Sequence, residues 1–405
     1  MPGQLTTKVH ALGVLTGGGD VPGLNAAIKA LVYRAEQMGI TITGLREGWA
    51  GITVLNRALS RQEQTFNADN PSTWQHGYIM PLTRLNTRPI DRMGGTILQS
   101  TRTNPARFRV GDLPPHLASY GEGHSPDDRV DLTKEVLANL EYLGLDGLVV
   151  IGGDDTLSYG AVLSQHGVPI WGIPKTMDND VHGTDYCIGF QTAISRAAEF
   201  INRIRSTAGS HSETVLFRMF GRDAGFTALE TATVAWVDRC LIPEVPANID
   251  RLAELIVEDR RNNPRSYSTV VLSEGANLGV PVPEVGAPDA YGHRKKANVA
   301  EFLAEELTRR LPEIRFLPID LTYFLRSGEP EVYDKHMAIF YANLIMSQVE
   351  KGLHGVIAAH RGGEYICTDI PGKNFPARRV DPADYHPMRY RPRFERITGP
   401  YLPQE

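Results

Sequence analysis

VHALGVLTGGGDVPGLNAAIKALVYRAEQMG, residues 9–39, is the stretch whose reading decides the fold. Val9 to Thr16 is a short, mostly apolar run, the signature of a strand covered on both faces. Gly17-Gly18-Gly19-Asp20 then turns the chain. Leu24, Ile28, Leu31, Val32 and Ala35 fall on one face of a helix, which Gly39 ends. Strand, glycine loop and helix in that order open a doubly wound α/β sheet.

Working outward, the same unit recurs. Asp131 to Leu143 reads as a helix and Leu148 to Ile151 as a buried strand. Gly152-Gly153-Asp154-Asp155 forms a loop, a helix follows from about Leu157, and Pro169 to Ile173 is a strand that leads into the loop Pro174 to Asp180. A second series starts near Phe190: a long helix to about Ala208, the strand Thr214 to Met219, and the loop Gly221 to Gly225 before another helix. Tyr267 to Ser273 is a β-branched strand, Lys295 to Leu311 and Tyr333 to about Gly352 are helices, and Gly355 to Ala359 is a strand. The expected fold class is α/β with two domains of similar build. Residues 1–189 form the first, rejoined by about 320–350, and residues 190–319 form the second. Residues 351–405 add a final strand and an extension that wraps the surface from Pro371, and residues 46–130 read as an insertion or flap.

Bulk composition narrows the function classes. The 405 residues are 41% hydrophobic and 22% charged, enough for more than one core. A net charge of -5 argues against a surface built for nucleic acid, and no apolar run is long enough for a membrane helix. Cys187, Cys240 and Cys367 are odd in number and lack zinc-like spacing, which suits free thiols in a cytoplasmic protein.

Three polar loops each follow an apolar strand, and in open α/β sheets ligands bind beyond the carboxyl ends of strands. Bare amides at Gly17, Gly18 and Gly19 suit phosphate oxygens, although the same glycines also suit a tight structural turn. A Walker A loop is excluded because no Gly-Lys-Ser/Thr follows, and the GxGxxG dinucleotide spacing is missing. Asp154, Asp155 and Thr156 place two carboxylates and a hydroxyl at a strand end. There Asp154 can hold Mg²⁺, while one of the two aspartates can instead cap the next helix. Lys175, Thr176, Asp178 and Asp180 bring a cation, a hydroxyl and two carboxylates within six residues, and in an extended segment the two carboxylates project to the same side. A carboxylate there can take the proton of a substrate hydroxyl, and the lysine can offset phosphate charge.

These blocks carry a family resemblance. GVLTGGGDVPGLNAAI, GGTILQSTRTNP, VVIGGDDTLSYGA, GIPKTMDNDVHGTDYCIGFQTA and FGRDAGFTALE resemble the successive signatures of the phosphofructokinases, in family order, from about residue 9 to about residue 350. The resemblance implies two Rossmann-like three-layer domains with the active site in the cleft between them, working as a homodimer or homotetramer. It implies that Asp178 is the base toward the sugar 1-hydroxyl, with Thr176 and Asp180 beside it, and that Asp154 coordinates Mg²⁺. Gly18, Gly19 and Arg102 then serve the transferring phosphoryl group, and Phe220, Gly221, Arg222, Glu274, Tyr323 and Arg326 line the sugar-phosphate side.

Within this resemblance the donor turns on two positions. ATP-using members resemble GGDG and PGT, where this chain has Asp155 and Lys175. An aspartate fills the room a nucleotide needs and sets a carboxylate against its α-phosphate; pyrophosphate ends before that point. Lys175 compensates both the Asp155 charge and the leaving phosphate. The expected reaction moves a phosphoryl group from pyrophosphate to fructose 6-phosphate, reversibly; the alternatives are ATP as donor, another sugar phosphate as acceptor, or a non-catalytic regulatory subunit.

One pair departs from the family pattern. Many relatives have an arginine where this chain has Glu213, and a glutamate where it has Arg218. In the family that arginine reaches across a subunit interface to the sugar 6-phosphate. Either Arg218, Arg315, Lys335 or another cation takes over, or the acceptor or the activity has changed. His182 and His211 lack a second ligand at metal spacing and read as loop residues, and Trp49, Trp74, Trp171 and Trp236 read as packing. Arg294-Lys295-Lys296 reads as a solvated helix start.

Overall fold

The computed structural model describes residues 3–5, 7–286, 295–372 and 375–394. In chain order the elements that build the site begin with β1 (Ala11–Thr16), α1 (Leu24–Gln37), β2 (Thr41–Leu45), α2 (Trp49–Val54) and β3 (Ile79–Leu82). They continue with α3 (Thr133–Leu143), β4 (Gly147–Gly152), α4 (Asp154–Gln165) and β5 (Ile170–Pro174). Next come α5 (Phe190–His211), β6 (Thr214–Met219), α6 (Phe226–Val234), β7 (Arg239–Leu241), α7 (Ile249–Asn262) and β8 (Ser268–Ser273). The last are α8 (Val299–Arg310), β9 (Phe316–Asp320), α9 (Thr322–Arg326), α10 (Val332–Glu350), β10 (Val356–Arg361) and β11 (Glu364–Asp369).

Two sheets result. The larger runs β11-β10-β5-β4-β1-β2-β3, parallel except for its two antiparallel edge strands. The smaller runs β7-β8-β6-β9 and is parallel throughout. Every residue of β4, β5 and β8 is buried, so β4 and β5 read as near-continuous apolar runs, while β8 keeps Ser268, Thr269 and Ser273 inside around its apolar centre. On α1, Leu24, Ile28, Leu31, Val32 and Ala35 are all buried, as their spacing requires, and this face packs against α10. The chain therefore returns to the larger sheet after β9, through α10 and β10.

Asp334 of α10 ties this returning helix to the start of α5. Its carboxylate accepts the Gly189 amide (2.7 Å), the Thr192 amide (2.8 Å) and hydroxyl (2.5 Å), and the Tyr186 hydroxyl (2.7 Å). A buried anion at a helix N-terminus answers otherwise unpaired amides and the helix dipole together.

Several expectations change. α4 starts at Asp154, three residues before Leu157, so both aspartates belong to its first turn. Lys295–Lys296 is a strand paired with Glu284–Val285, and α8 begins only at Val299 behind an Asn298 cap; Arg294 lies outside the described residues. Residues 46–130 are partly integral, since β3 is an edge of the larger sheet. The segment after Pro371 does wrap, but Val380, Tyr385 and Tyr390 are buried. Trp49 and Trp171 are core residues, while Trp74 and Trp236 are exposed. The three cysteines are free, and among the described residues no helix is long and apolar enough to cross a membrane.

Candidate active site

Parallel strands deliver their carboxyl ends to one edge, and here both sheets aim that edge at a single cleft of about 300 Å³. From the larger sheet come the loop after β1 (Gly18, Gly19), the first turn of α4 after β4 (Asp154, Asp155, Thr156) and the loop after β5 (Lys175, Thr176, Asp178, Asp180). From the smaller sheet come Phe220 and Arg222 after β6, Glu274 after β8 and Arg326 on α9 after β9. Arg102 completes the wall from residues 94–102. Two expected residues are placed differently. Gly221 shapes the turn with a φ of 119° rather than facing the cleft, and Tyr323 is 81% exposed and outside the lining.

The glycine loop works by shape more than by its amides. The Gly17 amide donates to the Ile151 carbonyl (3.0 Å) and the Gly18 amide to Thr101 (2.9 Å), so neither is bare. Gly18 has φ +82° and lies against the Lys175 ammonium, and a side chain on Gly19 would collide with the Arg326 guanidinium. The loop is thus pressed between two cations.

Lys175 is 4% exposed and its Nζ donates to the Gly19 carbonyl at 2.6 Å. Burial, then the neighbouring Arg326 and Arg102, pull its pKa down to about 7. The carboxylates shift the opposite way. Burial, then Asp155, pushes Asp154 up to about 7. Burial raises Asp178, with Asp180 next, and burial raises Asp180, with Asp154 next. The Arg222 amide donates to Asp178 Oδ2 at 3.3 Å, and the Asp178 amide donates to the Thr176 hydroxyl at 3.1 Å. The carboxylate is therefore held from the smaller sheet, and its backbone from its own loop.

A hard divalent cation fits this arrangement. Asp154 Oδ1 is buried without a hydrogen-bond partner, amid a surplus of negative charge. Among the described residues no three His, Cys, Asp or Glu side chains are grouped to hold a metal. A cation here would take its remaining ligands from phosphate and water, as Mg²⁺ commonly does.

On the sugar side Arg218 is bound to Glu274 (3.1 Å) and Asp320 (2.5 Å), so it orients Glu274 rather than offering a free cation. Glu213 lies at the opposite end of β6 from this cleft, buried, and is paired with Arg315 at 2.9 Å. Lys335 is paired with Glu329. Each cation named as a substitute therefore has an acidic partner. His182 packs against the Phe375 ring, and His211 bonds Thr207. Asp20, Asp223 and Ala377 also line the cleft without having been singled out. The first two stand inside the quoted signature blocks, whereas nothing local marks Ala377.

The comparisons bear on the whole of this architecture. Pyrophosphate–fructose 6-phosphate 1-phosphotransferase of Dictyoglomus thermophilum is 33% identical over 381 residues, 93% of this chain and 97% of that protein. ATP-dependent 6-phosphofructokinase 3 of Streptomyces coelicolor is 34% identical over 355 residues, 87% of this chain and 91% of that one. The solved structure of the pyrophosphate-dependent phosphofructokinase from Marinobacter aquaeolei shares the fold, with a TM-score of 0.70, 15% identity, and coverage of 98% of this chain and 93% of that one. A family model described as phosphofructokinase matches residues 11–349, and with it the chain belongs to the phosphofructokinase family.

Proposed function

We propose that the chain transfers a phosphoryl group from pyrophosphate to the 1-hydroxyl of fructose 6-phosphate, giving fructose 1,6-bisphosphate and phosphate. The observation that carries the donor assignment is that one cleft is lined both by Asp155, on the first turn of α4, and by Lys175, buried against the glycine loop. A nucleotide would have to run past the Asp155 carboxylate with its α-phosphate; pyrophosphate stops short of it.

In this reading residues 1–189, rejoined by about 320–350, hold the donor and metal. Residues 190–319 hold the sugar, and the working unit is a homodimer or homotetramer. Asp178 takes the hydroxyl proton, steadied by the Arg222 amide. The sugar oxygen bonds the near phosphorus while the bridging P–O bond breaks. Lys175 and Arg102 balance charge on the transferring and departing phosphates, joined by Arg326, which the sequence places on the sugar side but whose guanidinium lies against Gly19 and Asp20. Asp154 would hold Mg²⁺, which supplies further neutralisation of the donor oxygens. Glu274, fixed by Arg218, and Arg222 face the sugar phosphate.

ATP as donor is the second reading, favoured by the ATP-dependent relative at similar identity. The test is an assay with Mg²⁺ and fructose 6-phosphate, giving pyrophosphate or ATP, and the reverse assay from fructose 1,6-bisphosphate and phosphate. Activity with pyrophosphate and its formation in reverse are expected. Activity with ATP alone would overturn the donor assignment and leave the base in place.

A further inference from the structure

Residues 375–394 run from the neighbourhood of the larger sheet, past the loop after β5, to the far flank of the smaller sheet. The outer end is firmly fastened. The Tyr385 hydroxyl donates to the Cys240 carbonyl (2.6 Å), the Cys240 amide donates to the Tyr390 carbonyl (2.6 Å), and the Asn248 amide donates to the Tyr390 hydroxyl (2.8 Å). Arg239 donates to the Arg389 carbonyl (2.8 Å), and Phe394 stacks on Trp236. Closer in, the Val380 amide and the Gly225 amide share one oxygen of Glu244, each at 2.9 Å, which joins the strap to the start of α6.

The inner end meets the turn that carries the two carboxylates. The Arg378 amide donates to the Asp180 carbonyl at 2.7 Å, and its Nη1 donates to the carbonyls of Asn179 (3.2 Å) and Thr184 (2.9 Å). The same guanidinium lies over the Phe226 ring of α6, 4.7 Å from its centre. Asn179 sits in the left-handed region with φ 55°, a conformation that costs a non-glycine residue and persists only where the surroundings hold it. From inside, the Asn179 side chain bonds Asp185 and Cys187; from outside, only the strap answers its carbonyl among the described contacts.

We infer that Arg378 is a positioning residue for the phosphoryl-transfer machinery: it clamps the Asp178–Asp180 turn to the smaller sheet, so the strap sets where the carboxylates stand. This rests on the reading of Asp178 as the base. Lysine is not an equivalent replacement: both carbonyls are met by one nitrogen of a guanidinium that also lies over the Phe226 ring, and an ammonium has no planar face to keep that packing while reaching them. A misplacement of about 1 Å at a reacting group can cost on the order of 100-fold in rate.

The experiment compares full-length wild type, Arg378→Ala, Arg378→Lys and, as an exposed control, Arg379→Ala. It measures kcat and KM, rescue by low millimolar guanidinium, and amide exchange across residues 175–187. Expected are a loss in kcat of roughly 10- to 100-fold in Arg378→Ala, with KM changed by less than about threefold. Guanidinium should restore part of the loss and also slow the quickened exchange, and Arg379→Ala should match wild type. Wild-type kcat in Arg378→Ala, or a loss in a folded protein without rescue, would overturn the inference. If Arg378→Ala does not fold, Arg378→Lys decides, and full activity there would overturn it. Should wild type transfer no phosphoryl group at all, the reading of Asp178 fails first. The exchange data then decide the clamp by themselves: unchanged protection of residues 175–187 would refute it.

Discussion

Replacing Lys175 with methionine should make the empty protein more stable while disabling it. The side chain is 4% exposed, and the cost of holding its charge appears as a pKa brought down to about 7 from 10.5. Below pH 7 the lysine is charged in both folded and unfolded chains, so the penalty is fully present. Between pH 7 and 10.5 the unfolded chain binds the extra proton, so stability rises with pH and the penalty fades. At pH 7 it amounts to roughly 4 kcal/mol, from about 1.4 kcal/mol per pKa unit. Methionine has similar volume and forgoes the 2.6 Å bond to the Gly19 carbonyl, a loss of about 1–2 kcal/mol. The net expectation is a gain of about 2 kcal/mol at pH 7, a rise of a few degrees in thermal midpoint, shrinking towards pH 10. Pyrophosphate-dependent turnover should fall by about 100- to 1,000-fold, the usual cost of removing one charge-stabilising group. Thermal unfolding of both proteins at pH 7 and 9.5, with turnover at pH 7, checks this. A variant less stable than wild type at pH 7, or an advantage that grows with pH, would refute the reasoning.

Three further outcomes follow from the site. Asp178→Asn should lower kcat by roughly 100- to 10,000-fold yet keep donor binding measurable by calorimetry; normal turnover would remove Asp178 as the base. Asp155→Gly should shift the ratio of ATP to pyrophosphate activity upward by at least about tenfold, read from paired kcat/KM values, and no shift would unseat Asp155 as the excluding group. Arg218→Met should free Glu274 and Asp320, raising KM for the sugar phosphate and destabilising the fold by about 3 kcal/mol, seen in kinetics and urea unfolding. An unaltered KM would show that Glu274 needs no such support.

What the sequence could disclose follows from how far apart the interacting residues lie. Each cleft loop is contiguous with the strand that presents it, so a buried run followed by glycines or aspartates announces both; β4 with Asp154 and β6 with Arg222 are of this kind. The start of α4 was less legible, because Gly153 caps it without a side chain and the two aspartates that look like loop residues are its first turn. Contacts across strands were hidden altogether. Glu213 and Arg218, read as a reversed pair of charges, leave open a substitute cation, a changed acceptor or a changed activity. Strand register supplies each with a partner in its own chain: Thr214 pairs with Phe316, which sets Glu213 beside Arg315, and Arg218 pairs with Asp320. Both reversals are thus compensated as charges within the chain, Glu213 by Arg315 and Arg218 by Glu274 and Asp320. The strap is the extreme case. Arg378 acts on Asn179 and Thr184, nearly 200 residues earlier, and no periodicity or spacing links them. Only the completed fold brings that guanidinium under the turn, so the tail read from sequence as a surface wrapping emerges as part of the wall of the cleft.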